Sequence, residues 1–239
     1  ERGVTMSEKN ILFTDHTRSG DHAARTYMDV TYPVNDKLLI YPGDPIYEHH
    51  RHLSIANGDL CNVGRISMGC HTGTHMDAPY HFIKDGLTID QLDLNRFNGT
   101  ARVIEFDQSG DIDVQFLEKQ QIVSGERLIF KTRNTARFAG QTLLDDYTAI
   151  SADGARYLAD LQVGCIGIDY LTIEPASSSC GHVHQMILGA GIPVIETLNL
   201  KGVAPGIYKL CCLPLKLEGM DGSPVRALLF PCGMGQRPE

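Results

Sequence analysis

The chain has 239 residues, with 21 lysine and arginine residues against 29 acidic ones, which gives a formal net charge of −8. This acidic balance argues against a nucleic acid or an anionic membrane as partner, because both require a basic face. With 42% hydrophobic and 21% charged residues, the composition excludes a disordered chain and is typical of a globular protein.

The predicted elements, taken in chain order, alternate between strands and helices. Short apolar or alternating runs predict strands at 27–33, 48–56, 63–70, 101–106, 127–132, 163–168, 192–195, 207–217 and 226–230. Helices are predicted over 113–123, from an N-cap at Ser151 to about 161, and over 182–188. Turn residues separate these elements, at 41–45, 57–59 and 221–224. This order predicts one α/β domain with a mixed sheet.

The ends of the chain and its cysteines give two further expectations. Residues 1–26 are polar and lack the apolar core of a signal peptide, so we predict an N-terminal extension followed by one domain over 27–239. No apolar run approaches the ~20 residues that a membrane-spanning helix needs. The seven cysteines are scattered and form no CxxC motif, which favours reduced, mostly buried thiols in a cytoplasmic protein.

The most informative segment, HTGTHMDAPYHF over 71–82, contains three histidines and one carboxylate: His71, His75, Asp77 and His81. Imidazole and carboxylate groups are the ligands that zinc and manganese accept in enzymes. A straight strand would place residues four apart at ~13 Å, near the limit for one shared ion. The chain must therefore bend between the first two histidines. A scattered set of surface or core histidines is the alternative, and this spacing makes it the weaker one.

Three residues in the motif shape the backbone around the predicted ligands. Gly73 permits the bend, because glycine adopts backbone conformations that other residues avoid. In a locally extended chain His75 and Asp77 then point to the same side. Pro79 prevents the segment from continuing as a helix and sets His81 on a separate rigid piece near the metal.

A second cluster lies at Cys180-Gly-His182-Val-His184, with Glu196 twelve residues later at the end of an apolar run. A carboxylate at the end of a buried strand is costly unless it is paired or binds a metal. His184 and Glu196 would close the first metal site or form a second one. His182 competes with His184 as the ligand, and a helix-surface histidine with a salt-bridged Glu196 is the alternative.

The motif 71–82 resembles that of the cyclase family of metal-dependent hydrolases, which includes bacterial kynurenine formamidases and isatin hydrolases. Each fixed position of the pattern HxGTHxDxPxH is matched. Similar patterns extend over about 27–232, in the segments Asp29-Val-Thr-Tyr-Pro33, Tyr41-Pro-Gly-Asp-Pro45, Gly167-Ile-Asp169, Leu213-Pro-Leu-Lys216, Gly219-x-Asp-Gly222 and Pro224-x-Arg226.

This resemblance implies a swivelling β/β/α fold and a site with one or two zinc ions or a single manganese ion. The implied metal ligands are His71, His75, Asp77, His184 and Glu196. It also implies that Asp77 and Glu196 bridge two ions and that His81 is the proton donor and acceptor. Relatives place a substrate-contacting tryptophan just before the PGD turn, where this chain has Tyr41, so Tyr41 is expected to contact an aromatic substrate.

Three functions follow as hypotheses. The first is an arylformamidase that converts N-formylkynurenine to kynurenine and formate in tryptophan catabolism. The second is an isatin-hydrolase-like enzyme that opens a cyclic amide with one manganese ion. The third is a metal-binding protein without turnover, against which the additional proton shuttle argues. The resemblance further implies a homodimer or a higher homo-oligomer, with a small aryl or cyclic amide as substrate.

Overall fold

A computed structural model of the chain describes residues 27–141, 143–178 and 180–232. The extension predicted over 1–26 lies outside the described residues. The strands are β1 Met28–Asp29, β2 Glu48–Leu53, β3 Val63–Ser67, β4 His75–Asp77, β5 Asn98–Phe106, β6 Arg127–Thr132, β7 Cys165–Ile168, β8 Val194–Glu196, β9 Gly206–Pro214 and β10 Gly222–Pro231. The helices are α1 Val114–Lys119, α2 Asn134–Arg137, α3 Ala152–Leu161 and α4 His182–Gly189.

Eight strands form one mixed sheet in the order β1-β10-β4-β8-β7-β6-β5-β9. Strands β5, β6, β7 and β8 run parallel, and the pairings of β4, β9 and β10 are antiparallel. Strand β9 pairs with both β5 and β10, so the sheet closes on itself like a barrel. The predicted α/β domain with a mixed sheet is therefore confirmed.

Alternating side chains of the strands supply two cores, one on each face of the sheet. On β6, Ile129 packs inside the closed sheet with residues of β4, β8 and β10. Its neighbours Leu128 and Phe130 point outward and pack against α1, α3 and α4, for example against Leu117 and Leu158. This is the two-residue period of a strand that is buried on both faces. The closed sheet is thus a rigid base for the residues at its edge.

Several element boundaries differ from the sequence prediction, and helix α2 was not predicted. Helix α1 ends at Lys119, earlier than predicted. The prediction of a turn over 221–224 is wrong, because residues 222–224 belong to β10. They pair with residues 75–77 of β4, with Gly222 opposite Asp77. Tertiary pairing with β4 outweighs the local turn preference of this segment. The chain instead reverses over 215–221, between β9 and β10.

Strands β2 and β3 form a separate antiparallel hairpin, as the sequence predicts. The hairpin is exposed and packs little against the rest of the described chain. Only two cysteines of the seven, Cys165 and Cys212, are buried, so the expectation of mostly buried thiols is wrong. In the described part of the chain, no helix is long and apolar enough to cross a membrane.

Candidate metal centre

The short strand β4 carries two of the predicted ligands, His75 and Asp77, on one side. Both side chains are buried, and Nε2 of His75 lies 3.3 Å from Oδ1 of Asp77. Before the strand, Gly73 takes a φ of +69°, a left-handed conformation suited to glycine. The resulting bend brings the ring of His71 back to 5.0 Å from that of His75, centroid to centroid. The predicted bend is confirmed.

His81 follows the strand on a 3-10 turn that spans Pro79–His81. The N–H of His81 donates to the carbonyl of Ala78 at 2.9 Å, which fixes the turn. The imidazole of His81 stacks on that of His71, with centroids 4.0 Å apart and an interplanar angle of 29°. The fourth residue of the motif therefore lies directly over the first, on a backbone piece separate from β4.

Strand β8 and helix α4 bring the second cluster to the same place. Glu196 is the residue directly opposite His75 in the antiparallel pairing of β4 and β8. His184, in the first turns of α4, is buried and places Nε2 3.2 Å from Oε1 of Glu196. The same nitrogen lies 3.8 Å from Oδ2 of Asp77. His182 is exposed, so the structure brings His184 and not His182 to the cluster.

Each of three imidazoles has one nitrogen bound to a group outside the cluster. Nδ1 of His75 lies 2.8 Å from the carbonyl oxygen of Gly73, and Nδ1 of His184 lies 3.0 Å from Oε2 of Glu174. Nε2 of His71 lies 2.8 Å from Oδ2 of Asp221. The second nitrogen of each ring faces Asp77, Glu196 or both. Outer partners of this kind fix the tautomer and orientation of histidines that bind metals.

Sequence reasoning did not identify Glu174 and Asp221, which lie on the outside of this cluster. Glu174 also accepts hydrogen bonds from the backbone N–H groups of Val183 and His184, both at 3.1 Å, so it caps α4 from a neighbouring loop. Asp221 lies in the segment Gly219-x-Asp-Gly222 that carries part of the family resemblance. That pattern was the available signal for Asp221; nothing in the sequence around Glu174 indicates its contact with His184.

The ionisation of the cluster reflects its buried carboxylates. Burial alone would lower the pKa of His71, but hydrogen bonds with Asp221 and Asp77 raise it to about 10. Burial opposes a charge on His75 and His184 as well, and carboxylate partners again raise each pKa to about 10. Burial would raise the pKa of Asp77, yet the hydrogen bonds from His71 and His75 hold it well below its usual range. The buried carboxylates and the imidazoles thus stabilise each other's charged forms, and the carboxylates favour positive charge, from protons or from a cation, at this place.

The pKa of His81 is shifted the other way. Burial is the largest cause and lowers it, because a charged imidazole is disfavoured away from water. Asp77 and Glu196 act to raise this pKa, and the neighbouring imidazoles of His71 and His184 lower it further. Among the four imidazoles of the cluster, His81 is therefore the one that most readily stays neutral and exchanges a proton near neutral pH.

The donor set fits a divalent cation. Oδ2 of Asp77 is buried and has no hydrogen-bond partner among the described residues. Such an atom is costly in a protein interior unless a cation or a proton meets it. Two groups of residues offer possible ligand atoms, and within each group these atoms lie within 4.8 Å of one another. The groups are His71–Asp77–His81 and His75–Asp77–Glu196, and both contain Asp77. Imidazole and carboxylate together are typical ligands of zinc and of manganese.

The cluster lies at the bottom of a cavity of about 450 Å³. This volume is in the range of small-molecule sites. Tyr41 and Asp44, in the segment of the PGD turn, line one part of the cavity. Another part is lined by Phe82, Leu171 and Cys180. Tyr41 is 49% exposed, so its ring is accessible from the cavity and from solvent. Tyr41 thus lines the cavity, and its contact with a substrate stays a prediction.

Phe82 forms the wall closest to the cluster. Its ring stacks on the imidazole of His184, with centroids 4.5 Å apart and an interplanar angle of 15°. Gly181 lies behind the ring with a φ of +67°, and a Cβ at that position would lie 2.2 Å from the ring. The glycine before α4 is thus required for the close approach of Phe82 to His184.

Comparisons with known proteins agree with this fold and identify a family. The Cyclase family model matches residues 28–175, which is more than half of the chain. A kynurenine formamidase of Bacillus mycoides is 33% identical over 205 residues, which are 86% of this chain and 97% of that protein. A kynurenine formamidase of Bacillus cytotoxicus is 32% identical over 87% of this chain and 99% of its own length.

Solved structures with the same fold are also hydrolases. A potential metal-dependent hydrolase with cyclase activity superposes with a TM-score of 0.75, at 33% identity, over 85% of this chain and 96% of the other. Isatin hydrolase A of Ralstonia solanacearum shares the fold, with a TM-score of 0.73 at 24% identity over 85% and 90% of the two chains.

A closed mixed sheet with a buried histidine–carboxylate cluster at the bottom of a cavity is the arrangement of a metal-dependent hydrolase. The chain belongs to the Cyclase family, and it is an enzyme of the hydrolase class that uses a divalent metal.

Proposed function

We propose that the protein is an arylformamidase that hydrolyses N-formylkynurenine to kynurenine and formate, as a step of tryptophan catabolism. The observation that carries the metal chemistry is the convergence of three imidazoles on Asp77 and Glu196, with Oδ2 of Asp77 lacking a hydrogen-bond partner. The substrate is supported by kynurenine formamidases that are about a third identical over almost their whole length.

The proposed ligands are His71, His75, Asp77, His184 and Glu196. When bound, a divalent cation supplies Lewis acidity, which makes water a stronger acid near neutral pH and polarises a carbonyl group. Asp77 lies close to His71, His75 and His184, and this supports two zinc ions that share it. His81, which also belongs to one of the two groups of possible ligand atoms, is assigned to proton transfer. A single zinc ion or a single manganese ion is the alternative. Metal analysis of the purified protein, which gives the identity and the number of ions per chain, distinguishes these three cases.

His81 is the proposed proton donor and acceptor. It lines the cavity beside the ligands, and its side chain is 29% exposed, so a substrate can reach it. Burial lowers the pKa of His81 from its ordinary value, so at neutral pH the imidazole is neutral and ready to accept a proton. His81 accepts a proton from the attacking water and delivers it to the amine that leaves.

The aromatic lining orients the substrate. Tyr41, in the position where relatives have tryptophan, is proposed to contact the aryl ring, and Phe82 forms the wall beside the ligands. A flat aryl group stacked on such side chains places its attached amide toward the cluster. Stacking of this kind contributes about 0.5–1.5 kcal/mol beyond the burial of area.

A cyclic amide such as isatin is the second candidate substrate. It is taken from the resemblance of the motif over 71–82 to that of a family that includes isatin hydrolases. The solved isatin hydrolase structure, at 24% identity, shares the fold. The third hypothesis, a metal-binding protein without turnover, is not retained because the chain belongs to a family of hydrolases.

The protein is further proposed to be a cytoplasmic homo-oligomer. The exposed hairpin of β2 and β3 carries apolar side chains in water, among them Leu60, which is 99% exposed, and Ile66. A two-stranded hairpin is marginally stable alone, so a second copy is a suitable cover. The seven cysteines form no disulfide, as expected in a reducing compartment. Light scattering of the wild type and of Leu60→Glu tests the oligomer; equal masses corresponding to a monomer would contradict it.

The experiment for the activity is hydrolysis of N-formylkynurenine by the purified protein, before and after chelation and re-addition of Zn²⁺ or Mn²⁺, with isatin measured in parallel. Metal-dependent turnover with kcat/KM of about 10⁴ M⁻¹s⁻¹ or above is the expected result. Turnover of isatin alone, or of neither compound with any metal, would contradict the arylformamidase proposal.

A further inference from the structure

Asp221 is placed next to the cluster by the pairing of β10 with β4. It directly precedes Gly222, the residue opposite Asp77, and its carbonyl accepts a hydrogen bond from the N–H of Ala78 at 2.9 Å. A Cβ at Gly222 would lie 2.8 Å from Cε1 of His71, so the strand passes close against that ring. These contacts fix the backbone at Asp221 beside the end of β4.

The carboxylate of Asp221 determines which nitrogen His71 presents to the cluster. Its Oδ2 lies 2.8 Å from Nε2 of His71, while Nδ1 of the same ring faces Oδ1 of Asp77 at 2.9 Å. A carboxylate accepts a hydrogen bond and so requires the proton at Nε2. A cation held by Asp77 would replace the proton that Nδ1 otherwise shares with Oδ1 of that carboxylate, so Nδ1 is the nitrogen that would present its lone pair to the cation. His75 and His184 instead present Nε2, because their Nδ1 atoms have the outer partners.

The same carboxylate oxygen also reaches the ring of His81, whose Nδ1 lies 3.5 Å away. Because the rings of His71 and His81 stack with centroids 4.0 Å apart, one carboxylate lies against the edges of both. The side chain of Asp221 is 37% exposed. Within the cluster it contacts these two imidazoles, those of His71 and His81.

We infer that Asp221 is a positioning residue: it selects Nδ1 of His71 as the metal-binding atom and holds His81 in place above it. Removal of an outer partner of a metal-binding histidine typically weakens metal affinity 10–100-fold. Loss of Asp221 therefore affects two groups at once, one that binds the metal and one that moves the proton.

The direct test is the affinity for Zn²⁺, measured by competition with a chromophoric chelator, for Asp221→Ala, Asp221→Asn and the wild type. Glu218→Ala is the matched control, because it removes an exposed carboxylate three residues away. We expect Asp221→Ala to bind Zn²⁺ about 10–100-fold more weakly. Asp221→Asn should lie between, because its neutral amide oxygen still accepts a weaker hydrogen bond. Glu218→Ala should match the wild type.

A second readout separates positioning from a general loss of structure. In the zinc-loaded wild type, imidazole ¹⁵N shifts should show His71 bound through Nδ1 with a proton on Nε2. In Asp221→Ala they should show a mixture of the two tautomers. Unchanged shifts and Zn²⁺ affinity within about twofold of the wild type would overturn the inference. A lower melting temperature with unchanged affinity would overturn it as well, because the role would then be structural.

A third readout rests on the proposed function. At saturating Zn²⁺, Asp221→Ala should lower kcat for N-formylkynurenine about tenfold or more, in the range of lost acid–base assistance, with KM nearly unchanged. If the wild type does not hydrolyse this compound, the proposed function fails, while the affinity and the ¹⁵N shifts still decide the role of Asp221.

Discussion

His75 and Glu196 face each other directly on the antiparallel strands β4 and β8, with Nε2 of His75 3.5 Å from Oε2 of Glu196. They are 121 positions apart in the chain. The pairing register alone sets them side by side, and a slip of one residue would turn one side chain to the opposite face of the sheet. The register of these two short strands is therefore the structural feature on which the site depends.

The first prediction concerns this pair. Glu196→Gln keeps the shape of the side chain and the acceptor for the backbone N–H of Ile173, but it removes a proposed metal-binding charge. We expect Zn²⁺ affinity to fall by more than ~100-fold, beyond the range for outer partners. Isothermal titration of the metal-free protein measures it. Glu118→Gln, on the exposed face of α1, is the control. An affinity equal to that of the wild type would exclude Glu196 as a ligand.

The second prediction separates the proton shuttle from the metal ligands. His81→Ala should abolish turnover, by roughly 10²–10⁴-fold as for a lost general acid–base group, while the metal stays bound. Elemental analysis of the purified variant measures the metal, and a formamidase assay measures the activity. His182→Ala, an exposed histidine at the start of α4, should change neither quantity. Loss of the metal from His81→Ala would make His81 a ligand and refute the assigned role.

Much of this site could be predicted from the sequence, because the motif over 71–82 is local. A bend at Gly73, an extended segment and a stop at Pro79 are written into consecutive residues, and the structure has each of them. His184 and Glu196 required more, since apart from the family resemblance only the predicted position of Glu196 at the end of a buried strand indicated a function. The structure brings both to the motif.

Glu174 and Asp221 could not be predicted in the same way. Glu174 lies in the loop after β7 and meets His184 in the first turns of α4, a contact that no local sequence pattern encodes. The segment around Asp221 has turn residues, and its local preference indicated a turn where β10 in fact begins. The pairing of β10 with β4 is a long-range contact that outweighs this preference. The same contact gives Asp221 its place beside His71.

The third prediction concerns the wall behind His184. Gly181→Ala should destabilise the protein strongly, because its Cβ would overlap the ring of Phe82 and its φ is +67°. Gly191→Ala is the matched control: its φ is +73°, and a Cβ there would have nothing within 4 Å. The control should lose about 1–2 kcal/mol, the cost of a left-handed residue with a side chain. Gly181→Ala should lose at least ~1 kcal/mol more, as in an overpacked core.

Chemical denaturation of both variants measures this difference. Because Phe82 stacks on His184, the displaced ring should also weaken metal binding in Gly181→Ala and leave it unchanged in Gly191→Ala. Equal losses of stability in the two variants would show that Phe82 moves aside without cost and that the close contact is not required.

The fourth prediction is a pH dependence of stability from the ion pair that joins β1 to β10. Asp29 accepts a hydrogen bond from Nε of Arg226 at 2.9 Å and one from the N–H of Thr31 at 3.2 Å. Burial alone would raise the pKa of Asp29, but these hydrogen bonds outweigh it and the net pKa lies below the ordinary value of 3.8. A group whose folded-state pKa is lowered stabilises the protein above its unfolded pKa, and this contribution disappears as the pH falls through the folded value.

Asp29→Asn should therefore be less stable than the wild type at pH 7, and the difference should shrink between about pH 5 and pH 3. The side chain of Arg226 is 72% exposed, so solvent screening limits the loss to about 0.5–1 kcal/mol. Urea denaturation of both proteins across this pH range measures the difference, and added salt should reduce it further at pH 7. A difference that stays constant from pH 7 to pH 3 would show that the amide loses packing or hydrogen bonding, and that the charge of Asp29 does not stabilise the β1–β10 contact.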